Sequence, residues 1–328
     1  MATNPSLTKL NGMSLKTSPR VLISVRNEVE AEEALAGGAT LLDVKEPSRG
    51  PLGAAEDAVL RAIAATVRGR ALLSAACGEL LEVSQLPDLD GYWAAKVGLA
   101  GCASVAGWPE RLESLIAALS RDHAMPARPL AGFNPIFAAE QSQARRNRIG
   151  GGVILVPVAY ADAERADAPP VPMVLETAWA CHWPAVMIDT CCKDGPCLFD
   201  YLAPEFLADW AMRLRRGGIV FALAGSLQVE HAALLKAIGP AIVAFRSAAC
   251  PDQRRQSRLC RQRVGQLVRE FIGDGVAGYS DTTAEASLAR SVSALELAPT
   301  ATSTPPPGPG EQASANDKSR CSPQERAR

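Results

Sequence analysis

The sequence predicts an α/β fold of the (β/α)8 (TIM) barrel type, and three observations lead to this prediction. Eight short apolar segments alternate with segments of helical periodicity over the roughly 250 residues that such a barrel usually takes. Hydrophobic residues make up 48% of the 328-residue chain, enough for one large core. An open doubly wound sheet is the rival, but it usually has a Gly-rich turn after its first strand, where this chain has Ser24-Val25-Arg26-Asn27.

The predicted strands are apolar runs too short for helices and bounded by turn residues. In chain order they are residues 21–25, 40–44, 71–75, 91–97, 153–160, 185–189, 219–224 and 241–246.

The predicted helices occupy the segments between these strands, where apolar residues recur every three or four positions. They are residues 28–36, 56–67, 109–121, 163–180, 204–216, 229–238 and 255–271. The weakest helical pattern follows the third strand.

The barrel is predicted to occupy residues 21–271, with less regular sequence around and within it. Residues 1–20 are polar and form a flexible arm in this interpretation. Residues 124–152 are rich in Pro, Arg and Gly and are interpreted as an insertion before the fifth strand. Residues 272–328, with three consecutive prolines at 305–307, are predicted to be a disordered tail.

Composition argues against several classes of protein. A net charge of −1 gives no basic surface for nucleic acid, and no apolar run reaches membrane-spanning length. The nine cysteines and three histidines do not have the spacing of a zinc site. We therefore expect a cytoplasmic protein with reduced thiols and no metal, nucleic-acid partner or membrane partner. We also expect a homo-oligomer.

Lysine is rare in this chain, and its positions are informative. Seven of the 34 basic residues are lysines; Lys45, Lys96 and Lys193 end or closely follow predicted strands two, four and six. Barrel active sites lie at these carboxyl ends of the strands. Unlike arginine, lysine can lose its proton and attack a carbonyl. The positions indicate amine chemistry.

Two aspartates accompany these lysines. Asp43 and Lys45 are two positions apart, so their side chains leave the strand on the same face. Asp189 ends the sixth strand, shortly before Lys193. Neighbouring ammonium groups lower each other's pKa, which would make one lysine a nucleophile and another a proton carrier. The alternative is that each lysine only forms an ion pair with an aspartate.

The loops after strands seven and eight carry a candidate phosphate site. Gly225 and Ser226 follow strand seven, and Arg246, Ser247 and Ala248 follow strand eight. Barrels often bind phosphate there through backbone N–H groups. The alternative is a tight turn at Gly225 and a salt bridge at Arg246.

The chain resembles the (5-formylfuran-3-yl)methyl phosphate synthase family of methanofuran biosynthesis along its whole predicted barrel. The matching segments are Asp43-Val44-Lys45-Glu46-Pro47, Gly50-Pro51-Leu52-Gly53, Lys96-Val97-Gly98, Asp189-Thr190-Cys191-Cys192-Lys193-Asp194-Gly195, Ala224-Gly225-Ser226 and Phe245-Arg246-Ser247-Ala248-Ala249-Cys250. Ser247 stands where the family usually has Gly.

The resemblance implies a lyase that condenses two molecules of glyceraldehyde 3-phosphate into a furan aldehyde phosphate without a cofactor. It makes Lys45 the Schiff-base former and Lys96 the proton acceptor. Lys193, Asp43 and Asp189 would assist proton transfer and the loss of water and phosphate. Two alternatives remain open: a Schiff-base aldolase that makes another sugar phosphate, and a barrel that binds a phosphorylated ligand without turnover.

Overall fold

A computed structural model describes residues 18–122, 153–193 and 195–272 of the chain. The predicted insertion lies outside the described residues, as do the predicted arm up to residue 17 and the predicted tail from residue 273. None of the helices in the described ranges combines the length and apolarity that crossing a membrane requires.

Eight parallel strands form a closed barrel in which each strand pairs with the next and the eighth pairs with the first. This confirms the predicted (β/α)8 fold. The strands are β1 (Arg20–Val25), β2 (Leu41–Val44), β3 (Leu72–Glu79), β4 (Ala94–Gly98), β5 (Ile154–Tyr160), β6 (Ala185–Asp189), β7 (Val220–Leu223) and β8 (Ile242–Phe245).

Helices follow most strands, as the sequence predicts. They are α1 (Glu28–Ala36), α2 (Asp57–Val67), α3 (Trp108–Asp122), α4 (Val171–Ala180), α5 (Leu198–Tyr201), α6 (Pro204–Arg216), α7 (Ala232–Ile238) and α8 (Arg261–Ile272). Short 3-10 turns lie at Pro47–Arg49, Val229–His231 and Ser247–Ala249.

Two helix predictions were wrong in detail, and the segment with the weakest helical pattern contains no helix. The helix predicted over residues 163–180 begins only at Val171, because Pro169 and Pro170 cannot continue a helix. Residues 80–93, between β3 and β4, form turns. The last helix starts at Arg261, and residues 255–260, predicted as helical, belong to a loop.

Alternation along the strands builds two cores. Val21, Ile23 and Val25 of β1 point outward into the core shared with the helices, whereas Leu22 points into the barrel. The inner core contains many small residues, among them Ala222 and Ala244. Near the carboxyl ends of the strands the barrel interior is lined by polar side chains, and a cavity lies there.

Candidate active site

A cavity of about 630 Å³ opens at the carboxyl ends of the strands. Lys45, Lys96, Lys193 and Asp189 line it together. The structure thus brings the three lysines picked from the sequence to one cavity, as the barrel prediction required.

Strand alternation explains why Asp43 and Lys45 point inward. Leu42 and Val44 pack into the outer core while Leu41 packs inside, so Asp43 and Lys45 share the inner face. Asp43 is completely buried. It accepts hydrogen bonds from Ser74 Oγ at 2.7 Å and Ser24 Oγ at 3.2 Å, which come from the two neighbouring strands.

Lys96 is held by this carboxylate. Its Nζ lies 2.6 Å from Asp43 Oδ2, and only 5% of its side chain is exposed. An ammonium has three N–H donors, and this pair uses one. The remaining donors lie at the cavity wall, where a substrate oxygen or carbon could exchange a proton with Lys96.

Lys45 differs from Lys96 in its ion pairing and in the pKa of its amine. Among the described residues its amine has no ion-pair partner, although Lys45 is 8% exposed and lies near both aspartates. Burial lowers the pKa of Lys45 to about 7, against the pull of Asp189 and Asp43 and with help from the charges of Lys96 and Lys193. The lowered pKa favours the unprotonated, nucleophilic form of this amine far more than in an ordinary lysine.

Lys193 is fixed at the end of a tethered loop. Its Nζ lies 2.6 Å from Asp189 Oδ1 and donates to Thr190 Oγ1 at 3.1 Å. Burial works to raise the pKa of Asp189, but the charges of Lys193 and Lys45 outweigh it and hold that pKa below its ordinary value. Asp162 secures the loop, because its two oxygens accept the backbone N–H groups of Cys191 and Cys192.

The predicted phosphate loops also face the cavity. Gly225, Ser226 and Ser247 line it, and Ala248 is buried in the adjoining 3-10 turn. Gly225 has φ of 108°, a conformation that favours glycine, and a Cβ there would lie 3.1 Å from Thr190 Cγ2. The loop after β7 thus packs closely against the loop that carries Lys193.

Arg246, predicted to bind phosphate, is instead hydrogen-bonded to other parts of the protein. Its guanidinium donates to both carboxylate oxygens of Glu30, at 2.6 and 3.1 Å, and to the carbonyl oxygens of Ser24, Arg255 and Ser257 at 3.0, 2.7 and 2.8 Å. These contacts use all five of its N–H donors. A direct bond from Arg246 to phosphate would have to replace one of them.

Sequence reasoning missed several residues of the site. Ser24 and Ser74 support Asp43, Asp162 supports the Lys193 loop, and Arg254 and Arg255 line the cavity from the loop after β8. The helix predicted over residues 255–271 hides this loop in the sequence, because residues 255–260 continue its helical pattern. Within residues 18–122, 153–193 and 195–272, no group of three or more His, Cys, Asp or Glu side chains could hold a metal ion.

Comparison with known proteins gives a consistent result. Residues 21–268 match the family described as 4-HFC-P synthase. A protein of Methanocaldococcus jannaschii named (5-formylfuran-3-yl)methyl phosphate synthase is 31% identical over 255 residues, covering 75% of this chain and 97% of the relative. A protein of the same name from Methanopyrus kandleri is 33% identical over 265 residues, covering 77% and 99%.

Proposed function

Since the chain belongs to the 4-HFC-P synthase family, we propose that it is a lyase that condenses two molecules of glyceraldehyde 3-phosphate into (5-formylfuran-3-yl)methyl phosphate. The names of its relatives support the product. The observation that carries the mechanism is the buried amine of Lys45, which has no ion-pair partner within the described part of the chain and lies near two lysine–aspartate pairs. The reaction would serve the biosynthesis of methanofuran or a methanofuran-like one-carbon carrier in the cytoplasm.

The proposed reaction balances without an oxidant or reductant. Two triose phosphates contain the atoms of one furan aldehyde phosphate, one inorganic phosphate and two water molecules. The site therefore has to join carbon atoms, move protons and expel water and phosphate. Each of these steps needs an electron sink next to the reacting carbon, which an imine on a lysine supplies.

Lys45 is the imine-forming residue in this proposal. Its unprotonated amine attacks the aldehyde carbon, and water leaves to give a protonated imine. The imine makes the proton on the next carbon acidic. In glyceraldehyde 3-phosphate the phosphate is on the carbon after that, so removal of this proton allows phosphate to leave.

The two lysine–aspartate pairs supply proton transfer on either side of Lys45. Lys96 donates protons to carbon and accepts them from carbon, and the negative charge of Asp43 draws the proton back to the Lys96 amine after each donation. Lys193, bound to Asp189, donates protons to hydroxyl groups that leave as water. The phosphate that stays in the product is held by Gly225, Ser226, Ser247 and Ala248, through the loops that bind phosphate in many barrels.

Incubation of the full-length protein with glyceraldehyde 3-phosphate tests the proposal. We expect a furan chromophore to form together with one inorganic phosphate per furan. A nonaromatic aldol product would identify a Schiff-base aldolase instead. Unchanged substrate that nevertheless binds would identify a binding protein without turnover.

A further inference from the structure

The loop after β8, residues 250–260, is held in place by Arg246. The guanidinium of Arg246 donates to the carbonyl oxygens of Arg255 and Ser257, both in this loop. Its other three donors bind Glu30 in α1 and the carbonyl of Ser24 at the end of β1. Arg246 thus connects the barrel and α1 to the backbone that carries Arg255.

Arg255 extends from this loop to the cavity. Its side chain lines the cavity wall, and its Nη2 donates to the carbonyl oxygen of Gly50 at 2.9 Å. Among the described residues its other four N–H donors have no protein acceptor. Arg255 lines the same cavity as Asp189 and the three lysines. Burial lowers the pKa of Arg255 while the charge of Asp189 raises it.

We propose that Arg255 is the cation that binds substrate phosphate, and that Glu30 and Arg246 form a positioning pair that holds its loop. The inference rests on the proposed function only for the identity of the ligand as a triose phosphate. It replaces the direct contact between Arg246 and phosphate that the sequence suggested.

The chemistry of the wall favours a phosphate as the group that Arg255 binds. A guanidinium presents parallel N–H donors that match phosphate oxygens. Gly225, Ser226 and Ser247 line the same cavity and add the short side chains and accessible backbone that phosphate sites use. Apart from Lys45, five basic residues line the cavity, Lys96, Lys193, Arg246, Arg254 and Arg255. Among the described lining residues Asp189 is the one carboxylate, so the cavity attracts an anion.

Binding of glycerol 3-phosphate to the full-length protein, measured by calorimetry, tests the role of Arg255. This probe carries the phosphate but has no carbonyl, so it cannot form an imine. We expect Arg255→Ala to weaken binding by about 10-fold or more, the loss of one charge-assisted contact. The matched control is Arg258→Ala, which removes an exposed arginine from the same loop and should bind like the unmutated protein.

A double-mutant cycle tests the positioning role of Arg246. Arg246→Lys keeps the charge opposite Glu30 but cannot reach all five acceptors, so the loop loses part of its support. We expect this change to weaken glycerol 3-phosphate binding when Arg255 is present and to have no further effect in Arg255→Ala. Additive losses would mean that Arg246 binds phosphate independently, which overturns the positioning role.

The outcomes separate this inference from the proposed function. Equal affinity in the unmutated protein and Arg255→Ala overturns the inference, as do equal losses in Arg255→Ala and Arg258→Ala or no binding by the unmutated protein. As a further check, borohydride trapping of unphosphorylated glyceraldehyde on Lys45 should be the same with and without Arg255. If the protein binds glycerol 3-phosphate through Arg255 but makes no furan, the inference stands and the proposed function fails.

Discussion

Two buried ion pairs of this barrel have the same N–O distance, but they differ in how many hydrogen-bond donors they leave for a ligand. Lys96 Nζ and Arg246 Nη1 each lie 2.6 Å from a carboxylate oxygen, of Asp43 and Glu30 respectively. The remaining N–H groups of Arg246 donate to backbone carbonyls and to the second oxygen of Glu30. Lys96 donates one of its three N–H groups to Asp43, and the other two lie at the cavity wall.

The difference shows how the chain divides its cations. A planar guanidinium with five fixed donors can join α1, β1 and the loop after β8 at one point, and it stays charged throughout. An ammonium makes fewer fixed contacts and can give up its proton. Arginine therefore suits the support of the barrel rim, whereas the few lysines suit the positions where the proposed reaction would exchange protons and form covalent bonds.

The largest effect is expected where arginine replaces lysine at the centre of the site. Lys45→Arg keeps a positive charge but has no amine that can form an imine, so product formation should be abolished. Borohydride added during turnover should attach substrate carbon to Lys45 in the unmutated protein and to no residue in the variant, as peptide mass spectrometry can show. Trapping on Lys96 or Lys193 instead would reassign the roles.

Lys96→Ala should slow the reaction without preventing covalent attachment. We expect turnover to fall by roughly 10²–10⁴-fold, the range for loss of a general acid–base group, while substrate is still trapped on Lys45. Furan formation and borohydride trapping are measured on the same preparation. Lys236→Ala, at a partly exposed lysine of α7 that is paired with Glu270, is the control and should leave both unchanged. If Lys96→Ala abolishes trapping, Lys96 is needed for imine formation itself.

For the buried pair of Arg246 and Glu30 the expected effect is on the free energy of unfolding. Glu30→Ala leaves the charge of Arg246 buried without its carboxylate, which costs about 3–5 kcal/mol of folding free energy. Urea unfolding of the full-length protein measures this loss. Glu32→Ala, two positions along α1, breaks an exposed pair with Arg70 and should cause no measurable change. Equal midpoints for the two variants would contradict the structural role of Glu30.

The barrel fold and the meeting of the three lysines could be predicted from the sequence, because buried parallel strands are short apolar runs and the rare lysines lie at their ends. The partners of Asp43 could not, since Ser24 and Ser74 are 19 and 31 residues away and meet Asp43 only through strand register. Nor could the sequence distinguish Arg246 from Arg255. That distinction depends on which donors are already used within the fold, and five acceptors from three separate segments converge on Arg246.

The smallest expected effect concerns the pH at which Lys45 loses its proton. Reductive methylation of Lys45 by formaldehyde and cyanoborohydride requires the unprotonated amine, so its rate should rise with pH and reach half its maximum at about 7.

Lys193 contributes a positive charge that lowers the pKa of Lys45, and it also neutralises Asp189, whose charge raises that pKa. Lys193→Met removes both influences, and the half-maximum should therefore move to higher pH. Burial is the largest cause of the low pKa and remains in the variant, so the half-maximum should stay well below the 10.5 of an ordinary lysine. Lys236→Met should leave it in place. An unchanged half-maximum in Lys193→Met would show that the charge of Lys193 does not act on Lys45, and the amine of Lys45 would then be electrostatically independent of the Lys193–Asp189 pair.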